Sequence, residues 1–185
     1  MKAPVTVLLM CLSVQLIAQP RDMAPLDVGK PASQDLIHRW NTAIQPDGRG
    51  LPPGQGCVSE GKRLYAKQCA ACHGEEGKGG VYDVLVGRLP EGSFPFATEA
   101  GHKKTIGNYW PWPTTLFDYI RRAMPFLTPG TLSDAQTYSL CAYLLHLNDL
   151  LPENACLDAD KLPKIVMPAQ HRFVPDNRLQ TSSVR

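Results

Sequence analysis

An all-α domain, built from short helices joined by long irregular loops, is the fold class this sequence predicts. Three observations point there. Apolar residues recur at helical spacing in four separate segments, and no segment shows the strict alternation of a half-buried strand. Glycine and proline, 15 and 17 among 185 residues, interrupt the chain too often for a large sheet or long helices. With 43% hydrophobic and 19% charged residues, the chain can bury one modest core. The length suits one compact domain with extensions, or two small ones at most. A net charge of +2 provides no basic stripe for nucleic acid. No run reaches the roughly 18–20 continuous apolar residues of a transmembrane helix.

The chain opens with Met1-Lys2 and then runs apolar from Pro4 to Ala18, broken only by Thr6, Ser13 and Gln15. A basic start, a short apolar region and a small residue at its end predict a signal peptide over 1–18. An uncleaved anchor or a buried helix are the alternatives. Export would place the mature protein in the periplasm, without a transmembrane helix after cleavage and where disulfides are permitted. Residues 19–45 read as an N-terminal extension: a turn-rich linker, then a short helix capped by Ser33 with Leu36, Ile37, Trp40 and Ile44 on one side. The stretch from Gln45 to Gly56 is dense in turn residues and ends that helix.

Residues 46–151 form the predicted main domain. Ser59 opens a helix carrying Leu64, Tyr65, Ala66 and Cys69. From Gly74 to Trp112 the pattern fails, and a loop of that length in a small domain is expected to wrap something. Thr115-Leu-Phe-Asp118 matches a capping box and starts a helix with Phe117, Ile120 and Met124 on one face; Pro125 stops it. Ser133-Asp-Ala-Gln136 is a second capping box, opening a strongly apolar helix to about Leu150. Residues 152–185, with four prolines, read as a strap or tail.

Cys69-Ala-Ala-Cys72-His73 carries the chemistry. Two thiols one helical turn apart, followed directly by an imidazole, are the pattern of covalent c-type haem attachment. The thiols add to the two vinyl groups, and His73 becomes the proximal iron ligand. A zinc site would need a second paired cluster, whereas the remaining cysteines are dispersed. A redox dithiol would need a βαβ setting. Met124, at a helix end before a proline, is the candidate distal ligand, since a His/Met pair suits electron transfer. Met167 is the rival; Met23 falls in the linker, and His38, His102, His146 and His171 are weaker candidates. Tyr109, Trp110 and Trp112 are candidates for packing on the haem edge or donating to its propionates. Arg121 and Arg122 fit either propionate neutralisation or a solvated helix face. Cys141, apolar-flanked and mid-helix, reads as a buried free thiol.

The stretches PDGRGLPPGQG, EGKRLYAKQCAACHGEEGKGG, KTIGNYWPWPTTLFDYIRRAMPF and LSDAQTYSLCAYLLHLNDLLPE together resemble a class I cytochrome c of the type found with sulfur-oxidising molybdoenzymes. The TIGNYWPW and TLFDYIRRAMPF block resembles the cytochrome subunit of sulfane (sulfur) dehydrogenase in the thiosulfate-oxidising Sox system, and sulfite dehydrogenase cytochromes look similar. The resemblance implies the small helical cytochrome c fold, with the first and last haem-domain helices crossing. It implies one haem c held by Cys69 and Cys72, with His73 and Met124 as axial ligands. If those helices cross, Cys57 and Cys156 can be joined by a disulfide. The implied function is non-catalytic electron transfer, from a molybdenum-containing sulfite or sulfane dehydrogenase subunit to a downstream cytochrome c. Some sulfane dehydrogenase cytochromes carry a second haem domain, and this sequence has a single Cys-x-x-Cys-His. A freely diffusing carrier, or a haem enzyme or sensor with an open sixth position, also fits the residues.

Overall fold

The computed structural model describes residues 29–174. The predicted signal peptide over 1–18, Met23 and residues 175–185 lie outside them. The chain divides into two compact units, one ending at Trp40 and one beginning at Asn41.

Within the first unit, Ser33 caps α1 (Gln34–Trp40), its Oγ accepting the Leu36 N–H at 3.2 Å. No residue of α1 is buried. The helix stops at Trp40, so Ile44 does not share its face as the sequence pattern suggested. Ile44 is instead a core residue of the second unit.

Among the described residues, the second unit holds four α-helices, three short 3-10 turns and one small antiparallel ribbon, β1 (Gln55–Cys57) with β2 (Cys156–Asp158). The all-α expectation therefore needs one addition. Three residues per strand are too few to show an alternating pattern, which is why no strand was legible. Cys57 lies opposite Cys156 in the ladder and is joined to it by a disulfide.

Immediately after β1 comes α2 (Val58–Gln68), which packs most extensively against α5 (Asp134–Leu147). Small residues permit the approach. A Cβ at Gly61 would overlap the Ser139 carbonyl, and one at Gly56 would overlap the Ser139 N–H. Every residue of α5 from Thr137 to Leu145 is buried, the mark of a helix at the centre of a domain rather than on its surface. Its start is the capping box read from the sequence: Gln136 N–H donates to Ser133 Oγ at 3.2 Å, and Ser133 N–H to Gln136 Oε1 at 2.8 Å.

Between these helices in sequence, α4 (Pro113–Ala123) buries Leu116, Phe117 and Ile120, and its Phe117 ring lies 4.5 Å from that of Tyr138. Each such side chain contributes about 1.5–3 kcal/mol on burial. The helix starts earlier than the Thr115 capping box implied. Pro113 occupies its first turn, where its missing N–H costs nothing, and Trp112 is the cap residue. Thr115 Oγ1 instead donates to Trp112 O at 2.9 Å. Leu157 within β2 and Leu162, Met167 and Ala169 after it are buried, so the segment up to Val174 straps the core.

Candidate cofactor site

The single helix expected through the Cys-x-x-Cys-His run is broken at Cys69, whose backbone (φ −123°, ψ −36°) caps α2 and leads into one separate turn, α3 (Ala70–His73). That turn places Cys69, Cys72 and His73 together, with both cysteines unpaired and half-buried. Burial, with Cys72 beside it, pushes the unreacted Cys69 thiol up to about 11. Gly74 ends the turn at φ +81°, ψ 162°, a region open essentially to glycine alone. A Cβ there would also overlap the Lys78 carbonyl.

His73 Nδ1 lies 2.9 Å from the backbone carbonyl of Asp83. A carbonyl only accepts, so Nδ1 carries the proton and Nε2 keeps its lone pair for a metal. Metal-ligating histidines are ordinarily oriented in this way. Sequence reasoning could anticipate such a carbonyl but not locate it, because any residue supplies one.

Met124 is the C-cap residue of α4, held extended (φ −123°, ψ 149°) as the following proline requires. It is half-buried and packs on the same core as Cys69, Ala70, Leu85, Trp110 and Leu147. Met167 is a fully buried core residue. Of the histidines weighed as distal ligands, His146 Nδ1 sits 2.9 Å from Leu151 O and His102 Nε2 2.9 Å from Glu99 Oε2.

The three aromatics before α4 have different surroundings. Tyr109 stacks on Phe94 at 5.8 Å, also touches Phe96 and Phe173, and carries the Lys104 ammonium over its ring at 4.4 Å. Trp110 faces Tyr119 and donates its indole N–H to Thr115 Oγ1 at 3.0 Å. Trp112 caps α4 and is half-buried. Arg121 pairs with Asp134 at 2.9 Å and Arg122 with Asp118 at 2.5 Å.

The loop from Gly74 to Trp112 is fixed by polar groups that no motif announced. Asn148, fully buried after α5, accepts the Gly87 N–H at 3.0 Å through Oδ1. Its Nδ2 donates to Leu144 O at 2.8 Å and to Leu85 O at 3.3 Å. Thr105 Oγ1 donates to Gly87 O at 2.7 Å, and Asn108 Oδ1 accepts the Thr105 N–H at 2.7 Å. An asparagine just past a helix end was the one available signal. Among the described residues there is no cluster of three or more His, Cys, Asp or Glu placed to hold a metal ion. The free thiols of Cys69 and Cys72, the oriented imidazole of His73, and the Met124 thioether on the core that Cys69 also packs against form a donor set that fits haem c.

Comparison with known proteins agrees with that chemistry. Residues 57–144 match the family described as cytochrome C oxidase, cbb3-type, subunit III. A chain in the crystal structure of the sulfane dehydrogenase SoxCD from Paracoccus pantotrophus superposes with a TM-score of 0.71 at 38% identity, covering 85% of this chain and 76% of that one. This chain is a class I c-type cytochrome. Its cofactor is covalently bound haem c. The cytochrome is also 30% identical over 125 residues to the thiosulfate dehydrogenase of Stutzerimonas stutzeri (strain A1501), covering 64% of this chain and 35% of that relative. The thiosulfate dehydrogenase of Psychrobacter arcticus (strain DSM 17307 / VKM B-2377 / 273-4) is 30% identical over 112 residues, covering 56% and 31%. The cytochrome thus spans about a third of the length of these curated relatives.

Proposed function

We propose that this cytochrome is an exported, non-catalytic one-electron carrier in sulfur-compound oxidation. It takes electrons from a molybdenum-containing sulfane or sulfite dehydrogenase subunit and passes them to a downstream cytochrome c. The observation that carries the reading is the 38% identity, over most of both chains, to a chain of a sulfane dehydrogenase. When bound, haem c supplies one reversible one-electron centre. Cys69 and Cys72 would anchor it through thioethers, and His73 and Met124 would hold its iron. The Asp83 carbonyl fixes the His73 tautomer. The half-buried side chains of Leu85, Trp110 and Leu147, on the core that Met124 also packs against, would shield it from water. A soft thioether from Met124 together with a neutral imidazole from His73 would favour the reduced state and leave no open position for substrate. The apolar run over 1–18 supports a periplasmic location, where the molybdoenzyme partner would also reside.

The test is stoichiometric reduction of the matured protein. A sulfane or sulfite dehydrogenase molybdenum subunit, supplied with its substrate, should reduce it, and oxidised cytochrome c should then reoxidise it. Steady oxidation of thiosulfate by this chain alone, as the names of its 30% identical relatives would suggest, would make it an enzyme and contradict the proposal.

A further inference from the structure

Tyr65 lies on α2, 1% exposed, with its ring 5.4 Å from that of Tyr143. A phenylalanine would fill that packing equally well. The hydroxyl donates to Gly74 O at 3.0 Å, on the residue directly after His73. The same Gly74 carbonyl accepts the Gly77 N–H at 3.2 Å. Gly77 O then accepts the N–H groups of Leu85 at 2.9 Å and Val86 at 3.3 Å, and Tyr82 N–H donates to Cys72 O at 3.1 Å. Asp83, between Tyr82 and Leu85, presents the carbonyl that holds His73 Nδ1. Hydrogen bonds therefore link Tyr65 through the Gly74–Gly77 turn to Leu85, and the backbone through Val84 joins Leu85 to Asp83, whose carbonyl meets the imidazole.

We infer that Tyr65 is a positioning residue for His73: its hydroxyl anchors the turn that sets the Asp83 carbonyl against the imidazole N–H. The inference rests on His73 being the proximal ligand, as proposed above. The His73 N–H···O bond raises the basicity of Nε2 toward iron, and a more basic ligand favours the oxidised state. Releasing the turn loosens that bond and shifts the balance toward the reduced state.

The experiment uses the full, haem-loaded chain in three forms: wild type, Tyr65→Phe, and Tyr138→Phe as control. Tyr138 also donates a buried hydroxyl to a backbone carbonyl, Pro52 O at 2.9 Å, but it lies outside that path. Proton NMR of 15N-histidine-labelled protein follows exchange of the His73 Nδ1 proton, and redox titration gives the midpoint potential. In Tyr65→Phe the proton should exchange roughly fivefold faster, the change that one lost hydrogen bond permits, and the potential should rise. Tyr138→Phe should match wild type in both, even where urea melts show it equally destabilised. Unchanged exchange and potential in Tyr65→Phe, or equal shifts in the control, would overturn the inference. A wild-type protein whose spectrum shows no histidine-ligated c-type haem would instead refute the ligand assignment, and this inference with it.

Discussion

Replacing Asn148 tests whether the loop around the cofactor is held by one buried side chain. In Asn148→Ala, the Leu85 carbonyl keeps its bond from Ile106 N–H at 3.1 Å and loses little. The Gly87 N–H and the Leu144 carbonyl each lose the Asn148 side chain as partner. Leaving a buried polar group unpaired costs about 1–3 kcal/mol; Gly87 is half-buried, so water recovers part of its share. The expected loss is about 2–4 kcal/mol. Asn148→Asp is the sharper variant. It keeps an acceptor for Gly87 but turns a carboxylate oxygen toward two carbonyls. The fold then favours the protonated acid, so the folded pKa of the new residue is raised above its unfolded value. Stability is fully present below the unfolded pKa and is lost as pH rises through the folded one. Urea unfolding followed by far-ultraviolet circular dichroism, each variant against wild type at the same pH, reads both effects. The Asp deficit should shrink between pH 7 and about pH 4.5, while the Ala deficit stays constant. An Ala variant within about 0.5 kcal/mol of wild type, or an Asp deficit independent of pH, would refute the argument.

Other expectations follow from separate parts of the structure. Cys57→Ser with Cys156→Ser opens a link across a sequence separation of 99 residues; chemical denaturation should show a loss of about 2–5 kcal/mol. Cys141 is fully buried and its thiol is pushed up by burial, so it should resist a thiol reagent at pH 8 in the native protein and react at once in urea. Burial pushes the Tyr138 phenol up to about 12 and raises Tyr143 as well. The unfolded chain releases these protons near pH 10 and the folded one later, so denaturation midpoints should fall steadily as pH rises above about 10.

The parts of the fold that were legible in the sequence were those written in local chemistry. Ser133 and Gln136 mark the start of α5 because a capping box is a contact between near neighbours. Pro125 marks the end of α4 for the same reason. The attachment motif was legible because its three reactive groups lie within a single turn. Contacts across the chain left no local trace. Ribbon β1–β2 is too short to show a period, and the pairing of Cys57 with Cys156 depended on two helices crossing. The misplaced start of α4 shows a limit of motif matching. Thr115 and Asp118 satisfy the capping spacing, but Trp112 and Pro113 start the helix three residues earlier, and Asp118 pairs with Arg122 instead. Asp83 was invisible because its role belongs to the backbone. Asn148 was visible only as an asparagine after a helix, and its significance comes from Leu85 and Gly87, some sixty residues away.

The central claim is that His73 and Met124 hold a covalently attached haem c for electron transfer. The most direct measurement is the visible spectrum, oxidised and reduced, of periplasmically matured wild type beside Met124→Ala. The account predicts a c-type spectrum that survives acid–acetone extraction, with a weak far-red methionine–iron band in the oxidised wild type that is absent from the variant. A band that persists in Met124→Ala would move the ligand to another methionine such as Met167. Its absence from wild type, with rapid carbon monoxide binding on reduction, would contradict the carrier in favour of an open-site haem protein.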